Sequence, residues 1–178
     1  MLSIPSYTTW VYLEQLREGV NSMTVLQGRL ADRDAWSAVG ECPIEKTMAL
    51  LGTKSAMLIM REAFYGTTRF EDFWRRVGIT KAAASARLAE LVDAGLLERR
   101  PYKEPGQRSR DEYVLTAAGT DFMPVVWAMF EWGRRHLPYN ASLQLAHKDC
   151  GAEATVEIRC ERGHQVPANE LVVQLAGR

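Results

Sequence analysis

Three groups of side chains in this sequence have the types and spacing to do chemistry. His147-x-x-Cys150 and Cys160-x-x-x-His164 offer two nitrogen and two sulfur donors, with Gly151 and Gly163 beside them. Four such donors could close a tetrahedral zinc site on a small β-ribbon, with Thr155 to Arg159 as the strand between; the alternative is a metal-free hairpin. Cys42 precedes Pro43 at a point where a helix can start, and the field at a helix N-terminus favours a thiolate. The alternative there is a small apolar residue at a helix start or subunit contact. The third group is cationic: Lys81, Arg87, Lys103, Arg108 and Arg110, the first two interleaved with alanine and serine. Cations among small residues suit phosphate and base edges rather than a reaction centre. A Ser-His-Asp order and a phosphate-binding glycine loop are both missing from the sequence. A zinc tail would be catalytic only with an open ligand position, so an enzyme has little support.

The elements that must position the cations follow from apolar spacing. Arg69 to Val77 is a short amphipathic run that ends at Gly78. From Thr80 to Ala94 a second run carries Ala84, Leu88, Leu91 and Val92 inward, with Ile79 just ahead of it. Gly95 suits a helix-terminating residue in the left-handed region. Leu96 to Tyr102 then reads as a strand and Tyr113 to Leu115 as its partner. The residues from Lys103 to Arg110, with Pro105-Gly106 among them, have hairpin-loop chemistry. Helix, glycine turn, helix and basic hairpin together predict a winged helix-turn-helix, mainly α with a β-hairpin wing, an α+β fold. That shape puts its second helix in the DNA major groove and its wing along the backbone.

With Ala84, Leu88 and Leu91 inward, the outward face holds Lys81, Ala82, Ser85 and Ala86, with Thr80 at the amino end and Arg87 on the flank. Alanine lets a helix approach the groove floor and touch thymine methyls, while Lys81, Ser85 and Arg87 can donate to phosphates or bases. The competing reading makes Thr80 only a cap and the charges ordinary solvated ones. Lys103, Arg108 and Arg110 are expected to grip phosphates or reach the minor groove. Arg99 and Arg100 are strand neighbours and face opposite ways, so one can point at DNA while the other pairs with an acid.

The chain is 178 residues long, 47% hydrophobic and 25% charged, an ordinary globular composition. Its formal net charge is zero, with 22 residues of each sign. From Arg69 to Arg110, however, ten Arg and Lys face six Asp and Glu, a local excess of four positive charges. Local charge is what phosphate neutralisation requires. No run of 18 apolar residues exists, so a membrane helix is excluded, and the start lacks a secretory signal. Three widely spaced cysteines make no disulfide framework, which leaves the cytoplasm as the expected compartment.

Up to about residue 40 the chain reads as an extension. Trp10 to Gly19 could form a short amphipathic helix. Met23 offers an alternative start, which would make the first 22 residues an upstream extension; with Met1 as the start, they could pack on a partner subunit. The core spans about residues 41–138. Pro43 opens a helix that carries Ile44, Met48 and Leu51 up to Gly52, and Thr53 caps a second from Lys54 to Tyr65. Thr116 caps a last helix from about Ala117 to His136, with Pro124 predicting a kink or restart. Phe122, Val125, Val126, Trp127, Met129, Phe130 and Trp132 point in too many directions for a helix buried on one side. They predict a subunit interface shared with the first helix; a central core helix is the alternative. Residues 139–178 read as a small β-rich appendage whose last strand is Leu171 to Leu175.

As a set, several segments resemble the HxlR family of bacterial transcription regulators, relatives of the MarR group. They are Cys-Pro-Ile-Glu from Cys42, Gly-Thr-Lys-Ser-Ala from Gly52, Gly-Thr-Thr-Arg-Phe from Gly66, Gly-Ile-Thr-Lys from Gly78, Ala-Gly-Leu-Leu-Glu-Arg-Arg from Ala94, Tyr-Val-Leu-Thr-Ala-Ala-Gly from Tyr113 and Trp132-Gly133. The resemblance covers Cys42 to about Leu137. It implies a homodimer built from the first and last core helices, binding an inverted-repeat duplex with two recognition helices and two wings. Cys42 resembles the N-terminal cysteine with which several members detect electrophiles or oxidants; a small-molecule effector is the rival signal. Ser55 departs from the pattern, many members carrying tryptophan there. The tail resembles a degenerate zinc ribbon that lacks the usual Cys-x-x-Cys pairs. The expected function is a dimeric, sequence-specific DNA-binding regulator, more often a repressor. The alternative is a winged-helix protein-interaction module without DNA binding.

Overall fold

The structure is a computed structural model that describes residues 24–103, 105–106, 108–138 and 143–175. The expected helix at Trp10 to Gly19 and the choice between Met1 and Met23 lie outside the described residues. The chain forms two compact units. One holds the described residues of Met1–Ser37 and Glu157–Arg178, the other is Ala38–Val156. This division differs from cuts near residues 40 and 138, because part of the tail belongs to the helical core's unit and the rest to that of the extension.

The larger unit contains helices α1 (Pro43–Leu51), α2 (Lys54–Phe64), α3 (Phe70–Val77) and α4 (Lys81–Asp93), strands β2 (Leu97–Tyr102) and β3 (Arg110–Leu115), then α5 (Ala117–Asp121) and α6 (Met123–His136). Helix starts are set by hydroxyl caps: Thr53, Thr80 and Thr116 accept from the amides of Ala56, Ala83 and Gly119 at 3.2, 3.2 and 3.0 Å. Pro124 in the first turn of α6 splits the last helical stretch in two, a restart rather than a bend. Gly78 ends α3 at φ 73°, and Gly95 follows α4 at φ 71°. Past α4, the Gly95 amide donates to Val92 and the Leu96 amide to Leu91, both at 2.9 Å, a paired closure that reverses the chain into β2.

The core lies where α2, α3, α4 and the hairpin meet. Ala56, Ile59, Met60 and Ala63 form the inner stripe of α2 and pack with Phe73, Leu88, Leu91 and Leu97. Helix α5 comes so close to the loop before β2 that a Cβ on Gly119 would sit 2.0 Å from the Leu96 carbonyl oxygen. The hairpin is antiparallel, with Leu97 opposite Leu115 and Tyr102 opposite Arg110. Its second strand is longer than the Tyr113 to Leu115 expected from sequence, so Arg110 belongs to the strand and not to the loop. Arg69 makes an isolated bridge to Glu112, and the Tyr113 amide donates to the Thr68 carbonyl at 2.8 Å.

Residues 145–154 form a narrow hairpin bridged at Ala146 and Glu153. Glu131, 8% exposed on α6, accepts the Val156 amide at 3.0 Å and pairs with Arg135, while Arg134 pairs with Glu153. Thr155 to Arg159 is therefore not the strand expected of a ribbon: the Val156 amide is spent on a carboxylate instead of a neighbouring backbone.

In the smaller unit, β1 (Val25–Leu26) pairs in parallel with β4 (Val172–Val173). The expected strand at Leu171 to Leu175 is thus shorter, and its partner comes from the extension. The Trp36 indole donates to the Leu30 carbonyl at 3.0 Å and lies under the Arg33 guanidinium. Among the described residues no helix is long and apolar enough to cross a membrane.

Candidate nucleic-acid interface

Helix α4 is two-sided in the way a reading helix must be. Ala84 and Leu88 are fully buried and Leu91 nearly so, while Lys81, Ala82, Ser85 and Ala86 are exposed. Thr80 is exposed and caps the helix, so its hydroxyl is engaged with the Ala83 amide. The Lys81 ammonium lies 5.3 Å from the Trp74 ring centroid, which steadies it without covering it. Arg87 is half-buried and paired with Glu90 one turn on, a contact that competes with phosphate for its guanidinium.

On the wing, Lys103 and Arg108 are exposed and, among the described residues, have no acid partner. Arg110 differs, with its guanidinium 4.0 Å from Glu71 in the first turn of α3. On the stem, Arg100 pairs with Glu98 at 2.6 Å, and Arg99 lies 5.9 Å from the ring centroid of Tyr113 opposite. The two arginines face opposite sides, as strand alternation requires, and Arg100 has the acid partner expected of one of them.

Sequence reasoning missed a contact between the start of α3 and the wing. Arg69 occupies the N-cap position of α3 but makes no capping hydrogen bond. Its guanidinium carbon stacks 3.1 Å from the Tyr102 ring centroid, and Nη1 lies 3.6 Å from the Glu112 carboxylate. The available signal was an arginine where a short polar cap belongs. Ser55, the departure from the family pattern, lines a shallow hollow with Lys54, Leu58, Val77, Gly78 and Ile79, between the start of α2 and the helix-turn-helix corner.

Cys42 stands at the N-cap of α1 as a free, half-buried thiol. His147 Nδ1 lies 3.2 Å from Cys150 Sγ on a turn closed by the Gly151 amide. Cys160 and His164 belong to the other unit, on a second turn in which the Cys160 amide donates to the His164 carbonyl at 3.0 Å. Among the described residues no three His, Cys, Asp or Glu side chains converge as a metal-holding group.

Along α6, Val126 is buried and Trp127 packs against Phe64, Tyr65 and Phe130, with ring centroids 5.8 to 6.2 Å apart. Val125, Met129 and Trp132, four and three residues apart, form an exposed stripe on another side, with Trp132 58% exposed. Ile44 and Met48 are exposed on α1. A central core helix would have no such stripe.

A two-sided second helix after a glycine turn, followed by a basic hairpin, defines a winged helix-turn-helix DNA-binding protein. Residues 50–141 match the model of the HxlR-like helix-turn-helix family. An uncharacterized HTH-type transcriptional regulator of Mycobacterium tuberculosis, Rv3095, is 34% identical over 131 residues, 72% of this chain and 82% of that one. The solved structure of PA1607, described as a candidate transcription factor, is 29% identical and superposes with a TM-score of 0.67, covering 77% of this chain and 96% of that one. Another such factor, PA1374 of Pseudomonas aeruginosa, is 36% identical with a TM-score of 0.55 over 76% of this chain and 92% of its own. The chain belongs to the HxlR-like helix-turn-helix family: it is a transcriptional regulator that binds DNA, not an enzyme.

Proposed function

We propose that the protein acts in the cytoplasm as a homodimeric repressor that occupies an inverted-repeat operator. Each subunit lays α4 in a major groove and its wing on the neighbouring phosphates. The observation that carries this reading is the bare outer face of α4, where Lys81, Ala82, Ser85 and Ala86 are exposed above a fully packed inner side. Small side chains let the backbone approach the base edges, and Lys81 at the amino end, with Lys103 and Arg108 on the wing, fixes the register on phosphates. The exposed stripe of α6 together with Ile44 and Met48 of α1 supports pairing of two copies through these helices, because large apolar groups at such spacing favour a covered surface. Cys42, at the start of α1, supports a redox signal delivered beside that contact; a small-molecule effector is the other form the signal takes.

The test is a gel shift with duplex DNA from upstream of the protein's own gene. Binding that weakens steeply with salt, and that is lost in a Lys81→Ala, Arg108→Ala double variant of unchanged circular dichroism, is the expected result. Salt-insensitive binding, or none to that DNA or its neighbours, refutes the reading and leaves a protein-interaction module.

A further inference from the structure

We propose that Arg69, Tyr102 and Glu112 form a clamp that sets the angle of the wing against the helix-turn-helix and so places Lys103 and Arg108 on the DNA backbone. This inference rests on the DNA-binding reading above. The Arg69 side chain is 34% exposed and that of Glu112 25%. Arg69 Nη1 is nevertheless fully shielded from solvent and donates no hydrogen bond. A guanidinium nitrogen in that state is costly, and an apolar side chain would fill the space more cheaply. What compensates it is the Tyr102 ring face on one side and the Glu112 carboxylate, 3.6 Å away, on another.

The arrangement bears on geometry more than on stability. Tyr102 is the last residue of β2, immediately before Lys103, and Glu112 lies two positions into β3. The register puts Glu112 opposite Arg100, so Tyr102 and Glu112 share one face of the hairpin as diagonal neighbours. Arg69 therefore grips both strands of the stem from the start of α3. Beside it, Arg110 approaches Glu71 of the same helical turn at 4.0 Å. Phe73 of α3 is fully buried in the core shared with α4, so the clamp references the wing to the reading helix through a packed element. Leu97, Tyr113 and Leu115 anchor the base of the hairpin in the core, and the Tyr113 amide ties β3 to Thr68. The far end of a two-stranded stem is marginal in water, however, and without the clamp would carry its cations on a swinging arm. Arg69 is a positioning residue in this scheme and not itself a phosphate ligand.

The experiment uses the full-length protein and a duplex selected by wild type from a random-sequence pool. Affinity against salt and hydroxyl-radical footprints are compared for Arg69→Met, Arg69→Lys, Glu112→Gln and Tyr102→Leu, each checked for wild-type circular dichroism. All four are expected to bind about tenfold more weakly, with a salt dependence shallower by about two units for a dimer that loses one wing phosphate per subunit. The flanking protections vanish while those under α4 persist. A direct phosphate contact by Arg69 would instead leave Arg69→Lys near normal and make Glu112→Gln bind more tightly, since an acid near DNA has been removed; that result overturns the clamp. So does an unchanged flanking footprint in folded Tyr102→Leu and Glu112→Gln. Should wild type select no duplex, the DNA reading itself fails, and the clamp is judged on free protein. There, amide hydrogen exchange in residues 97–102 and 110–115 is expected to speed up at least tenfold in Arg69→Met, and unchanged exchange overturns it.

Discussion

The number of cations free to meet phosphate fixes the salt dependence of operator binding. Of the five cationic positions in the reading helix and wing, Lys81, Lys103 and Arg108 have no acid partner among the described residues, whereas Arg87 is held by Glu90 and Arg110 approaches Glu71. Three free cations per subunit make six in a dimer, and each neutralised phosphate contributes about 0.9 to the slope of log affinity against log salt, so a slope near −5 is expected. Replacing Arg108 by alanine removes one contact from each subunit and makes the slope shallower by about 1.8, at roughly constant sequence preference. The same change at Arg87 is expected to leave the slope within half a unit of wild type, because Glu90 competes with phosphate for its guanidinium. Fluorescence anisotropy on a fixed duplex between about 50 and 200 mM salt reads both effects, over a range in which such a slope amounts to roughly a thousandfold. Equal losses for Arg108→Ala and Arg87→Ala refute the link between ion pairing in the free protein and contact in the complex. A wild-type slope shallower than about −2 refutes the placement of the wing.

Gly119→Ala forces a methyl into the Leu96 carbonyl, 2.0 Å away, and is expected to lower stability by about 1–3 kcal/mol in denaturant unfolding; an unchanged midpoint would mean that α5 is free to shift. Met129→Asp puts a charge in the exposed stripe of α6, and sedimentation is expected to show a monomer of intact helicity where wild type is a dimer; a dimer in both removes this face from the interface. Peroxide is expected to weaken duplex binding by wild type at least tenfold and to leave Cys42→Ser unaffected, and an equal response in the two excludes that thiol as the sensor. The metal expectation for His147, Cys150, Cys160 and His164 is one zinc per chain by elemental analysis, lost in Cys150→Ser; less than a tenth of a zinc in wild type leaves two plain turns.

Features written into one or two residues were readable from sequence. Thr53, Thr80 and Thr116 cap the helices they announce, Gly78 makes the turn between the two helices, Gly95 takes the left-handed conformation its position suggested, and Pro124 breaks the last helical stretch. The inner face of α4 was equally legible, because burial at Ala84, Leu88 and Leu91 follows helical periodicity. Ion pairing was less so. Glu90 stands three residues beyond Arg87, a spacing that any helix turns into a neighbour, yet the cation count alone gave it no weight. The wing clamp joins positions 69, 102 and 112, and no local pattern reports that three separate segments converge. In the tail, Thr155 to Arg159 reads as the strand between the two donor pairs of a ribbon, but Glu131 on α6 takes the Val156 amide, and tertiary contact wins over that local expectation.

The parallel pairing of Val25–Leu26 with Val172–Val173 also orders events during synthesis. On a ribosome the first of these segments emerges long before the second exists, so it must wait unpaired while everything between them is made. Residues 38–156 form a compact unit of their own and can condense in that interval, leaving the smaller unit to close last. A nonsense codon anywhere ahead of Val172 would therefore strand a segment near the opposite terminus as well as delete its partner.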